Sequence, residues 1–419
     1  MPAYLKPTRL KNMTTNFIRQ LLLGLPVIRK KISKSASLEC QPFENIDIGR
    51  CPLPTDAYFL VNNRCNARCV MCSVEGYFSD NSAKRITLDK FKIIAGNLHL
   101  ENFKSVILSS AGEPLLNGDV PDIISFINRN YPHICIIIIT NGIALTPQLA
   151  GELVGLNVHL LSVSLNAGTR ETYKKVMQVD CFERVVGNIK YYQELGAKAG
   201  KQPDIWLSFV AHRKNLEDLS RFIELGKTLD VKLLTTTYSR FYPESQRLKM
   251  ALSDENFLDE NDSLFFHQEL SDRYFREAEK LARKLGIKFV REPLFSEAFH
   301  RKKCEFPFTA VLVGVDGEVF PCCNGEVIFK EKVRKGYYKF GNLLEQDIKD
   351  FWNDSYYRAV RYSVLNPDNP AVPECGVCAQ SIMWNGHIQK CHILEWGGLS
   401  DKSVDFGLVE YDENGWANA

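Results

Sequence analysis

The stretch AYFLVNNRCNARCVMC, Ala57 to Cys72, decides the fold: a short apolar run, Ala57–Val61, gives way at once to asparagines, arginines and three cysteines. Cys65, Cys69 and Cys72 stand at i, i+4 and i+7, the spacing of an apolar helix stripe. Their neighbours argue otherwise. Asn62, Asn63, Arg64, Asn66 and Arg68 crowd the segment, and such a density of Asn and Arg reads as a loop leaving a strand rather than as three buried thiols on a helix.

Working outward, apolar β-branched runs alternate with helical patterns from Ala57 to about Thr237. Strands are expected at Ala57–Val61, Ser105–Leu108, Ile134–Thr140, Leu160–Ser164, Ile205–Val210 and Val231–Thr236, with helices at Leu88–Leu98, Val120–Asn130, Pro147–Val154, Arg170–Leu195 and Leu216–Leu229. Thr87 and the Thr146–Pro147 pair mark two helix starts. Such alternation predicts parallel strands joined by right-handed crossovers, in a doubly wound sheet or a barrel, with the chemistry at the C-terminal strand ends. The unusual segments obey that rule: the cysteine loop, SSAGEP (Ser109–Pro114), TNG (Thr140–Gly142) and SVSLNAG (Ser162–Gly168) each follow or end one of the first four strands.

The 419-residue chain has 45% apolar and 24% charged residues and a net charge of +2, which suits a soluble globular protein and gives no reason to invoke nucleic acid. Thirteen cysteines, with no secretory signal pattern, suit a reducing, cytoplasmic setting better than a disulfide framework. The longest apolar runs, such as Ile134–Ile139, fall far short of the roughly 18–20 residues needed to span a bilayer. The apolar and then basic segment Asn16–Ser35 is interrupted by Gly24 and Pro26, and is read as a helix on the main domain in preference to a membrane-surface anchor. The expected organisation is an N-terminal helical extension over 1–50, a core over 51–290, a second cysteine-bearing domain over 291–395 and a tail over 396–419.

In the second domain, Asp316–Gly317 signals a hairpin, a helix follows, and Cys375-x-x-Cys378 lies in a Pro-rich loop. Cys304, Cys322, Cys375 and Cys378 form a candidate four-thiolate set, with Cys323 the alternative to Cys322 and Cys391 left over. On composition alone the set suits structural zinc as well as an iron–sulfur cluster. Cys40, Cys51, Cys135 and Cys181 read as packing residues. The three-cysteine loop differs, since a lone triplet serves closed zinc poorly and leaves one iron of a 4Fe–4S cluster open to a cosubstrate.

On these residues the chain resembles the radical S-adenosylmethionine (SAM) enzymes. The resemblance implies a partial (β/α)6 TIM-type barrel, with Cys65, Cys69 and Cys72 holding a 4Fe–4S cluster whose open iron chelates SAM. A 5′-deoxyadenosyl radical then abstracts hydrogen from a substrate. Residue by residue, it implies Gly112 and Glu113 at the methionine ammonium, Ser164 and Asn166 at the ribose, and Met71 and Val210 at the adenine; Ala111 and Met71 depart from the usual Gly and aromatic residue. The C-terminal pattern resembles the small α+β auxiliary-cluster domain called twitch, related to SPASM, and implies one auxiliary 4Fe–4S cluster on the four-thiolate set. The expected activity is a dehydrogenase-type oxidation of a small polar metabolite, of sugar or cyclitol type, driven by a donor such as flavodoxin or ferredoxin. Radical modification of a peptide and a non-catalytic electron carrier are the alternatives. His212, Tyr238 and Arg240, past the fifth and sixth strands, are the acid–base or substrate-positioning candidates.

Overall fold

The computed structural model describes residues 47–72, 84–109, 111–239, 258, 260–297, 304–366 and 369–376. Six strands, β1 (Asp56–Leu60), β2 (Ser105–Ser109), β3 (Cys135–Thr140), β4 (Leu160–Ser164), β5 (Ile205–Ala211) and β6 (Leu233–Tyr238), follow one another in spatial order, each parallel to the last. Helices α1 (Leu88–Leu98), α2 (Val120–Asn130), α3 (Pro147–Gly155), α4 (Arg170–Met177), α5 (Phe182–Lys198) and α6 (Leu219–Thr228) fill the crossovers. Their starts follow the sequence signals: Thr87 caps the Lys90 amide, and Thr146 caps Leu149 ahead of Pro147.

One expected helix is two. Gln178 takes a left-handed conformation (φ 56°) and ends α4, and α5 begins at Phe182. That break carries no glycine or proline, and the apolar spacing resumes at Phe182, Val185 and Ile189, so the pattern reads straight through it.

After α7 (Gln268–Leu285), β7 (Phe289–Val290) adds to the β6 edge. The cysteine-bearing hairpin joins the other edge: β8 (Ala310–Val313) runs parallel to β1, pairing Asp56 with Ala310, and antiparallel to β9 (Val319–Phe320). Gly317, at φ 83°, makes the turn as the Asp–Gly pair predicts. The nine strands form one unclosed sheet in the order β7-β6-β5-β4-β3-β2-β1-β8-β9, a partial barrel flanked by α8 (Gly325–Arg334) and α9 (Ser355–Leu365) on the hairpin side.

The main apolar core lies between the sheet and its helices, with Phe59, Phe91, Ile138 and Phe209 among its buried members. A smaller cluster on the concave face, Ile107, Ile137, Leu160, Trp206 and Leu233, floors the barrel. Among the described residues, no helix is long and apolar enough to cross a membrane.

Candidate metal centre and cosubstrate site

The cysteine loop is pinned from three sides. Asn62 donates through its side chain to the carbonyls of Arg64 (3.2 Å) and Glu113 (3.0 Å), and the Glu113 amide donates to the Arg64 carbonyl at 2.6 Å. Gly112 makes this contact possible, because a Cβ there would stand 2.0 Å from that same carbonyl oxygen. Farther on, the Arg68 and Val70 amides donate to the carbonyls of Met177 and Val176 at the end of α4. The third anchor is Asn141, whose side chain donates to Asn66 Oδ1 at 2.7 Å and to Cys65 Sγ at 3.7 Å. The asparagines thus hold the loop open as a turn structure, and the helix stripe does not form.

Cys65, Cys69 and Cys72 are half-buried thiols. Burial and the charge of Glu113 push the Cys65 thiol up, against backbone donors at Ala67 and Asn66 and the Asn141 side chain. Among the described residues no three His, Cys, Asp or Glu side chains converge on a single metal ion; a cluster does not require that, since each thiolate binds a different iron. Three reduced thiols on one loop at the strand ends, with N–H donors aimed at sulfur, are the donor set such a cluster takes.

Glu113 is 1% exposed. Its Oε1 accepts from Thr140 Oγ1 (2.5 Å) and the Leu115 amide (3.0 Å), and its Oε2 from the Asn141 amide (2.7 Å). Burial outweighs these donors and pushes its pKa up to about 7. Three of about four lone-pair positions are filled, so the carboxylate ties the second strand end to the third and leaves one position open on Oε2. The TNG segment is therefore a structural joint.

At the next strand end, Asn166 adopts φ 61°. Its Oδ1 accepts from the Val210 amide (2.8 Å), its Nδ2 lies 3.3 Å from Met177 Sδ, and its carbonyl accepts from Asn215. Asn166 braces β4 against β5, whereas Ser164, half-buried and 3.3 Å from the Ser208 hydroxyl, is presented on the concave face with Val210. Met71 is half-buried beside Cys72.

Two of the acid–base candidates need correction. His212 is fully buried; its Nδ1 accepts from the Lys214 amide, and burial with the nearby lysines Lys214 and Lys175 pushes its pKa down to about 3. It is a neutral structural imidazole at ordinary pH, not a proton carrier. Tyr238 faces away from the barrel: its hydroxyl donates to the Pro293 carbonyl and its ring packs against Phe275 and Phe295. Strand alternation puts Thr237, not Tyr238, on the concave side. Arg240 lies outside the described residues.

In the second domain, Cys304, Cys322, Cys323 and Cys375 are half-buried thiols, and Cys378 and Cys391 lie outside the described residues. Cys322 Sγ accepts the Asn324 amide at 3.3 Å. Cys323 instead lies near enough to Tyr58, on the concave face, for its charge to push that phenol up after burial and Asp56. Arg361, fully buried, staples the domain together: it donates to the carbonyls of Pro307, Ile48 and Trp352 and to Asn353 Oδ1, and stacks 4.4 Å over Trp352.

Comparison with known proteins agrees with this layout. The family model described as the radical SAM superfamily matches residues 59–226, and that of an iron–sulfur cluster-binding domain, SPASM, matches residues 304–379. A probable GTP 3′,8-cyclase of Saccharolobus islandicus is 33% identical over 178 residues, 42% of this chain and 54% of that protein, so the match spans about half of that relative's length. Another of that name and species is 28% identical over 307 residues, 70% of this chain and 90% of that protein. A tungsten-containing aldehyde ferredoxin oxidoreductase cofactor-modifying protein of Pyrococcus furiosus is 24% identical over 76% of this chain and 86% of its own length. Among solved structures, Streptococcus suis SuiB bound to S-adenosylmethionine superposes with TM-score 0.58 at 14% identity, covering 84% of this chain and 75% of SuiB. The enzyme anSMEcpe with bound AdoMet gives 0.53 at 15% identity, over 73% and 78%. The two matched domains imply 4Fe–4S clusters and S-adenosylmethionine as cofactors. With its three-cysteine loop held over an unclosed parallel barrel and a second cysteine set beside β1, the chain belongs to the radical SAM superfamily and carries a SPASM-type auxiliary domain.

Proposed function

We propose that this chain oxidises a neutral, polyhydroxylated small molecule held in the barrel, the first cluster sitting on Cys65, Cys69 and Cys72 and an auxiliary one on Cys304, Cys322, Cys375 and Cys378. Bound together, the reduced first cluster and S-adenosylmethionine would supply a 5′-deoxyadenosyl radical for hydrogen-atom abstraction, and the auxiliary cluster would supply an acceptor for the electron left when a proton departs. A donor such as flavodoxin or ferredoxin would reduce the first cluster.

The lining of the concave face carries the substrate class. Above the apolar floor, alternation along the strands places Ser109, Ser162, Ser164, Ser208, Thr235 and Thr237 on that side. The register confirms the rows, with Ser164 beside Ser208 and Ser208 beside Thr235. All six are neutral hydroxyls that both donate and accept. In the floor, the Trp206 indole N–H is buried with no acceptor among the described residues. Such a surface suits ring hydroxyls. A triphosphate would call for arginine or lysine, and none occupies these positions. Cys322 is favoured over Cys323 as a ligand because its sulfur already accepts an N–H, as cluster thiolates do.

The test is turnover of reconstituted, reduced protein with S-adenosylmethionine and a panel of neutral cyclitols and sugars, GTP, and a neutral peptide. A cyclitol or sugar should raise 5′-deoxyadenosine release and yield a product lacking two hydrogen atoms. Turnover with GTP or the peptide alone, or a product of unchanged mass, would overturn the reading.

A further inference from the structure

Tyr173, on α4, is fully buried, and its hydroxyl has no hydrogen-bond partner among the described residues. Buried hydroxyls are almost always paired, so this one calls for an explanation. Its ring meets Phe182 edge-on, with centroids 5.7 Å apart. Val176 and Met177, one turn farther along the same buried face, receive the amides of Val70 and Arg68, and Met177 Sδ lies 3.5 Å from Cys69 Sγ. The cysteine loop therefore rests directly on the end of the helix that carries Tyr173.

The charged groups that act on the hydroxyl are three thiols and a carboxyl, each an acceptor. Burial drives the phenol far above its ordinary pKa, and the charges that add to this belong to Cys181, Cys69, Glu113 and Cys65. The phenol keeps its proton and is a donor. Glu113 already has three donors. The sulfurs of the loop are the acceptors that gain charge when iron binds them.

We propose that Tyr173 is a positioning residue for the first cluster: once the cluster is in place, its hydroxyl donates a hydrogen bond to cluster sulfur on the Cys69 side and raises the cluster's reduction potential. Hydrogen bonds to sulfur are among the determinants of iron–sulfur potentials, because they stabilise the more negative, reduced state. The proposal rests on Cys65, Cys69 and Cys72 as the ligands.

Full-length reconstituted protein and its Tyr173→Phe variant would be compared by proton ENDOR in H2O and D2O, and by EPR-monitored potentiometric titration. The cluster in question is the one whose EPR signal changes when S-adenosylmethionine is added, which separates it from the auxiliary cluster. The wild type should show an exchangeable proton coupled to that cluster. In the variant that coupling should vanish and the reduction equilibrium should fall about tenfold, a midpoint about 59 mV lower. Site-specific 3-fluorotyrosine at position 173, a stronger donor in the same shape, should move the midpoint upward instead. An unchanged coupling and midpoint in Tyr173→Phe, or a downward shift with fluorotyrosine, would overturn the proposal. Absence of any S-adenosylmethionine-responsive cluster from the wild type would instead remove the ligand assignment beneath it.

Discussion

Glu113 and His212 are both buried titratable groups, and their surroundings drive them in opposite directions. Glu113, raised to about 7, prefers its proton in the folded state. His212, lowered to about 3, refuses one. Because the unfolded chain binds a proton at His212 near pH 6.5 and the folded chain does not, its contribution to stability is complete above that pH and is lost as pH falls toward 3. At pH 5.5 the loss should be about 1.4 kcal/mol. Chemical denaturation of wild type and His212→Asn at pH 7.5 and 5.5 checks this: the wild type should lose more stability than the variant over that interval. Equal losses would mean that the imidazole titrates normally in the folded protein. The same burial explains why a sequence reading that placed His212 at the active rim went astray. A rim position along the chain says nothing about which way a side chain turns, and this one turns into the protein, where Asn215 and the Lys214 amide fix its backbone and ring.

At the scale of elements, the crossovers were legible because their signals are local. Capping threonines, first-turn prolines and unbroken β-branched runs place β1 to β6 and most helices within a residue or two. The division of α4 from α5 was not, because Gln178 occupies a left-handed site that glycine usually fills. Gln178 is exposed, and Gln178→Gly should therefore stabilise the protein by about 0.5–1 kcal/mol, the relief of φ strain outweighing the added chain entropy. A lowered melting temperature would show that the side chain's hydrogen bond to Lys175 matters more than the backbone. The joints of the site were hidden for a related reason. Asn141 lies in a short turn segment, and only the fold brings its side chain against Cys65. The cysteines themselves were plain, since their chemistry survives in their spacing.

Across the whole molecule, the hairpin of the second domain continues the barrel sheet instead of standing apart, with β8 paired to β1, the strand that launches the first cysteine loop. Tyr58 on β1 lies near Cys323, and its ring meets Phe306 at 5.4 Å, so the concave face and the second cysteine set are neighbours. Arg361 holds that junction through four acceptors from three parts of the chain. Arg361→Met would strip the Pro307 and Trp352 carbonyls of this buried donor and should cost about 3 kcal/mol in denaturant unfolding; a cost below about 1 kcal/mol would show that the junction is held elsewhere. The central claim, two clusters on two cysteine sets, is tested most directly by iron and acid-labile sulfide analysis of anaerobically reconstituted wild type beside the Cys65→Ala, Cys69→Ala, Cys72→Ala triple variant. Two clusters should give about eight iron and eight sulfide per chain, falling to about four of each in the variant. Four or fewer in the wild type, zinc without sulfide at the second set, or a variant that keeps all its iron would contradict it.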